Sequence, residues 1–151
     1  MIPPLTNLAR LSLNQATTQH WSLREAIEGC ERAGIPSIGI WRDKLAEAGL
    51  EPAVRMVRDA GLHVSSVCRG GMFPAATAAE RAARIEDNRR AIDEAAALSA
   101  DVLVLVCGPA PDKDIRAGRA MVADAIEQLI SYAAERGVRL GIEPLHPMYA
   151  G

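Results

Sequence analysis

Short apolar runs alternate along the chain with longer stretches in which apolar residues recur every three or four positions. The runs lie at 10–15 (RLSLNQ), 37–41 (SIGIW), 63–68 (HVSSVC), 101–107 (DVLVLVC) and 138–143 (VRLGIE). Their length and β-branched content read as strands. After the first run, Leu23, Ala26, Ile27 and Cys30 share one helical face. Ser22 with Glu25 three residues on forms a capping box, and Gly34 stops the helix. Thr77 and Glu80 repeat the device ahead of a long Ala-rich helix whose stripe is Ile85, Ile92, Ala95 and Leu98. Val122, Ala125, Ile126, Leu129 and Ala133 define another helix, terminated by Gly137. Gly49 and Pro52 interrupt the segment between the second and third runs. That segment predicts a short helical turn, then a helix from about Pro52, at its first position, to Ala60.

Five strands with four intervening helices in strict alternation predict an α/β chain with a parallel sheet. An open doubly wound sheet and a (β/α)8 barrel both accept the pattern. An open sheet gathers its chemistry at one switch point, whereas a barrel recruits many strand ends around one mouth. Here every run ends in polar or special residues: Asn14-Gln15, Trp41-Arg42-Asp43, Cys68-Arg69-Gly70-Gly71, Cys107-Gly108 and Glu143. That favours a barrel rim. No GxGxxG follows the first run and no P-loop occurs, and the Gly turns in CRGGMFP and CGPAP are weak phosphate signals beside ordinary βα turns.

With 151 residues, 49% of them apolar and 24% charged, the chain buries one core, and a single domain over 1–151 is expected. A formal net charge of −2 gives no basic field for nucleic acid or an anionic membrane surface. No run approaches a membrane span, and the N-terminus lacks the pattern of a signal peptide. Three widely spaced cysteines form neither a CxxC motif nor a disulfide framework. A reduced, cytoplasmic setting is the expectation.

Two arginines follow strands directly. Arg42 and Arg69 are placed to grip a phosphate or carboxylate, or else to pair with Asp43 or another rim acid. Trp41 fits stacking on a ligand ring or plain packing, and His146 fits substrate contact or ordering of its Pro-bounded loop. Cys68 and Cys107 read as small core or rim residues, and His20 and His63 as structural. The run RAARIEDNRR reads as a solvated helix face carrying i,i+4 pairs such as Arg84 and Asn88.

A full barrel takes roughly 250 residues, so five of eight units take roughly 155. The expectation is therefore an incomplete barrel, the N-terminal part of a larger one, cut after the fifth strand. Two open strand edges would then call for a missing C-terminal half or a homo-oligomer.

Through LSLNQATTQHWSLREAIEGCERAGIPSIGIWRDKLAEAGL, VCRGGMFP, DNRRAIDEAAALSADVLVLVCG and GIEPLHPMYA, the chain resembles the N-terminal part of the xylose isomerase-like TIM-barrel superfamily, above all its sugar phosphate isomerase/epimerase members. The resemblance implies a divalent metal (Mn, Mg, Co or Zn) in the complete protein. Its ligands would be Glu143 and acids and a histidine from later strands, so this chain alone would not hold it. It also implies that Glu143 is one of two glutamates that move the proton next to a carbonyl, with a small sugar or sugar phosphate as partner. A half-barrel without activity, associating through its edges, is the alternative. A nuclease of the endonuclease IV type fits less well, because Trp41-Arg42 and Cys68-Arg69 stand where that site needs histidines.

Overall fold

The computed structural model describes residues 7–145. β1 (Ser12–Asn14), β2 (Ser37–Trp41), β3 (His63–Gly71), β4 (Val102–Val106) and β5 (Arg139–Ile142) form one parallel sheet in chain order. Unbroken sequential order is how a barrel wall is laid down, since a doubly wound sheet reverses direction at its switch point. The expectation of an incomplete α/β barrel with five parallel strands is met.

The four crossovers contain five α-helices, one more than the sequence pattern predicts: α1 (Leu23–Ala33), α2 (Arg42–Ala48), α3 (Leu50–Asp59), α4 (Ala78–Ala97) and α5 (Ile115–Glu135). The expected helical turn after β2 is a helix of its own. Gly49 closes it by donating its N–H to the Leu45 carbonyl, and its own carbonyl accepts from Ala53 to open α3. Pro52 is the third residue of α3, not the first. It is tolerated there because the N–H groups of the first helical turn have no intrahelical partner to lose. Both expected capping boxes form. Ser22 Oγ accepts from Glu25 N at 3.2 Å while Glu25 accepts from Ser22 N at 2.7 Å, and Thr77 and Glu80 repeat the pair at 3.2 and 3.0 Å. The backbone bond from Ser22 is the main reason that the Glu25 carboxyl sits below its ordinary range.

One face of the sheet is dry. Ile38, Ile40, Val64, Val67, Leu103 and Leu105 are fully buried against the helices, where Ala26, Ala53, Ala91, Ala95 and Ala133 allow close approach. Each fully buried Leu, Ile or Val contributes about 1.5–3 kcal/mol relative to exposure. The other face is concave and lined by Asn14, Trp41, Ser66, Cys68, Val104 and Gly141 among others. This inner face mixes polar and apolar residues where the outer one is uniformly apolar, the two faces being set by alternation along each strand.

β3 runs three residues past its predicted end because Gly70 and Gly71 pair with Leu105 and Val106. Between Cys68 and Gly70 the register shifts. Arg69 is the extra residue of that bulge, and a bulge of this kind re-aims a side chain. Among the described residues, no helix is long and apolar enough to cross a membrane.

Candidate functional site

Glu143 stands one residue past β5. Its N–H donates to the Leu105 carbonyl at 3.0 Å, which extends the β4–β5 ladder by one bond, and its side chain is exposed. With Asn14, Trp41 and Cys68 it lines a hollow of about 360 Å³ on the inner face. Two of the expected site residues, Trp41 and Glu143, thus share one cavity.

Trp41 is fixed by the two amides that end β1. Asn14 Oδ1 accepts from the indole Nε1 at 3.0 Å, and Gln15 Oε1 accepts from the Trp41 backbone N–H at 3.0 Å. Gln15 is 1% exposed. The sequence marks these amides only as a polar strand end. Their grip on a residue 26 and 27 positions away follows from the β1–β2 pairing, in which Asn14 lies opposite Gly39.

Cys68 sits where the rim charges converge. Burial pushes its thiol up to about 11, the Glu143 carboxylate adds to the rise, Arg69 opposes it and Asp43 adds a little more. Such a thiol stays protonated near neutrality and is a poor nucleophile. Burial raises Cys107 as well.

The two strand-end arginines differ in their partners. Arg42 opens α2, and its guanidinium reaches past Asp43 to α4. Nε donates to Glu94 at 2.6 Å, and its terminal nitrogens donate to Asp87 at 3.0 and 3.2 Å. Partial burial works against its charge, but the two carboxylates outweigh it and hold Arg42 above its ordinary range. Of the two roles open to Arg42, the geometry displays the ion pair. Among the described residues Arg69 makes one side-chain hydrogen bond, to Met72 Sδ at 3.6 Å, and no ion pair. It faces a cleft of about 380 Å³ that also takes in Trp41, Arg42, Asp43, Cys68 and Met72, so the two arginines line one cleft with different partners.

The Arg42 hydrogen bond holds the Asp87 carboxyl below the ordinary range. A depressed folded-state value contributes stability above the unfolded value, about 3.9, and loses it as pH falls through the folded value. The Asp87 side chain is 45% exposed, so screening keeps the contribution modest. Urea titrations at pH 7 and at stepped acidic pH are expected to show Arg42→Met less stable at pH 7 but losing less on acidification. Parallel stability curves for the two proteins would refute the coupling.

α4 corrects a second expectation. Its charge run is not simply a solvated face, because Asn88 is 1% exposed and points inward. Asn88 Oδ1 accepts from Gly71 N at 2.6 Å, while Nδ2 donates to the Gly71 and Arg84 carbonyls at 2.9 and 2.8 Å. Arg84 donates to the Met72 carbonyl at 2.7 Å and to that of Pro74. The turn that follows β3 is therefore clamped from below, with Arg69 and Met72 at its mouth. An Asn inside a charged run carries no sequence signal of this role.

His63, at the opposite end of the sheet, bonds Asp101 at 2.8 Å. His146 lies outside the described residues. Among the described residues, no three His, Cys, Asp or Glu side chains are grouped closely enough to hold a metal ion.

A family model described as xylose isomerase-like TIM barrel matches residues 25–151. Among solved structures, protein SMc04130 from Sinorhizobium meliloti 1021 is 47% identical with a TM-score of 0.92, over 96% of this chain and 54% of that one. A D-psicose 3-epimerase, crystallised in the presence of D-fructose, is 17% identical with a TM-score of 0.77, over 93% and 54% of the two chains. The IOLI protein, solved with a zinc atom, is 20% identical with a TM-score of 0.76, over 87% and 50%. At such identities the last two share the fold alone. The chain spans about half the length of these solved structures. No curated protein matches it.

Proposed function

The chain belongs to the xylose isomerase-like TIM barrel family, and from that premise we propose that it forms the first five strands, with their four helical crossovers, of a sugar isomerase or epimerase. The observation that carries the reading is Glu143, a carboxylate at the carboxyl end of β5 that shares the inner hollow with Trp41. Solved epimerases with the same fold lend it support.

In this reading Glu143 takes the proton from the carbon beside the sugar carbonyl and returns it to the other face or to the neighbouring carbon, in partnership with a second acid. Trp41, fixed by Asn14 and Gln15, offers an apolar face to the sugar ring. Arg69, which makes no ion pair among the described residues, is placed to hold an anionic or hydroxyl-rich end of the substrate, with His146 as a further contact. Arg42 acts through Asp87 and Glu94 as a positioning residue. Cys68 stays neutral beneath the sugar.

A divalent metal fits as far as Glu143 goes: the exposed carboxylate makes no ion pair among the described residues and is the oxygen donor that a hard cation prefers. The other ligands would come from outside those residues. When bound, such an ion polarises the carbonyl and stabilises charge on its oxygen.

The test is deuterium exchange from solvent into the position next to the carbonyl of D-fructose and a panel of other ketoses, followed by NMR with the protein that carries this chain. Exchange that stops with EDTA and returns with Mn²⁺ is expected. If no ketose exchanges, the isomerase reading fails. The edge-associating half-barrel would then gain ground, because β1 and β5 each pair with one strand among the described residues. Sedimentation analysis would test that association.

A further inference from the structure

We infer that the mouth continues past Trp41 into a second sugar subsite, so that the substrate is a neutral glycoside of at least two units rather than a lone monosaccharide. The inference rests on the reading of Trp41 and Glu143 as parts of one mouth. Trp41 is a shared wall: it borders the Glu143 hollow, the Arg69 cleft and a third cavity of about 300 Å³. Ligand sites begin at roughly 300 Å³, so the hollow and the third cavity can each take a small ligand or one unit of a larger one.

The third cavity is lined by Gln15, Ala16, Gln19, Trp41, Asp43 and Lys44. An indole surrounded by two carboxamides, a carboxylate and an ammonium offers donors and acceptors around an apolar plane. A polyol, whose every hydroxyl both donates and accepts, matches that set. Charge narrows the choice further. Lys44 is paired with Glu47 at 3.5 Å, whereas Asp43 makes no ion pair among the described residues. With one carboxylate and one partly engaged ammonium in its lining, the cavity has no net positive charge to hold a phosphate and suits a neutral sugar.

Gln15 supplies an independent pointer. Its Oε1 is committed to Trp41 N, and its buried Nε2 has no hydrogen-bond partner. A buried donor without an acceptor is uncommon and calls for a reason. A sugar hydroxyl entering beside Gln15 after a small rotation of the amide would supply the missing acceptor. The same side chain would then tether Trp41 and sense the second unit.

The experiment measures binding to the protein that carries this chain by calorimetry and by ¹⁵N NMR, with three probes. Lactulose is a neutral disaccharide containing a ketose unit, D-fructose is the lone ketose, and D-fructose 6-phosphate is the anionic arm. Lactulose is expected to bind about tenfold or more tightly than D-fructose and to shift the Gln15 side-chain amide resonances. Gln15→Met is expected to erase that advantage. Since a buried substitution can also unsettle the fold, Gln19→Ala at an exposed position provides the second variant and should erase most of it too. Equal affinity for lactulose and D-fructose, no binding of either, a preference for D-fructose 6-phosphate, or a lactulose advantage untouched by Gln19→Ala would each overturn the subsite. The two readings fail separately. Glu143-dependent proton exchange without a lactulose advantage sinks the subsite alone, and a Gln19-dependent advantage in a protein that exchanges no ketose proton sinks the isomerase reading alone.

Discussion

Gly71→Ala is expected to cost more than about 4 kcal/mol of stability, enough to lower the melting temperature of a domain this size by about 10 °C or more. Two effects add. Gly71 has φ +100°, a conformation that an L side chain rarely adopts, and a Cβ built there would stand 2.6 Å from the carbonyl carbon of Val106 and 2.8 Å from its nitrogen, with the carbonyl oxygen closer still. These are backbone atoms of β4, which is paired on both sides, so no flexible side chain can give way. Moving Gly71 instead would break the two bonds it makes with Asn88. Gly61→Ala separates the contributions. Its φ is +63° but nothing lies within 4 Å of the added carbon, so only the backbone cost of about 1–2 kcal/mol should appear. Urea and thermal unfolding of both variants decide the matter. A Gly71→Ala protein no less stable than Gly61→Ala would mean that the β3 turn is not held as described.

Glu143→Gln is expected to slow ketose proton exchange about a thousandfold, within the range that a general acid or base contributes. Glutamine keeps the size and one carbonyl oxygen but can neither accept the proton at neutral pH nor bring the negative charge that favours a cation. The substitution should leave stability within about 0.5 kcal/mol, since the side chain is exposed and its structural bond is made by the backbone to Leu105. Loss of exchange with retained stability is therefore the signature of a chemical role. A reduction of only a few fold would remove Glu143 from the proton-transfer step, and a large loss of stability would make it a structural residue.

The sheet was legible in the sequence because its strands are short, apolar and separated by helices with explicit punctuation. Ser22 and Glu25, Thr77 and Glu80, and Gly34 act through bonds that span only a few residues, so local pattern captures them. What escaped depends on contacts distant in the chain. Gly70 and Gly71 look like a turn until β4 is beside them, and then they are strand. Arg42 has an acid next to it at Asp43, yet its partners are 45 and 52 positions away on α4. Asn88 falls on the stripe of Ile85, Ile92 and Ala95, yet its polarity inside a charged run hides its burial, and Gln15 is buried through a backbone group of another element. Gly49 was visible as an interruption, but its service to two helices at once was not. Of the candidate site, Trp41, Arg69 and Glu143 could be placed on strand ends from the sequence, while the groups that hold the rim around them could not.

α4 ties two parts of the rim together. Through Asp87 and Glu94 it grips the start of α2, and through Arg84 and Asn88 it grips the turn after β3. One helix thereby splints two neighbouring lips of the mouth to each other. Lips locked in this way keep little conformational freedom to surrender when a guest arrives. Their ordering is completed during folding, and that preorganisation leaves more of each later contact to appear as affinity.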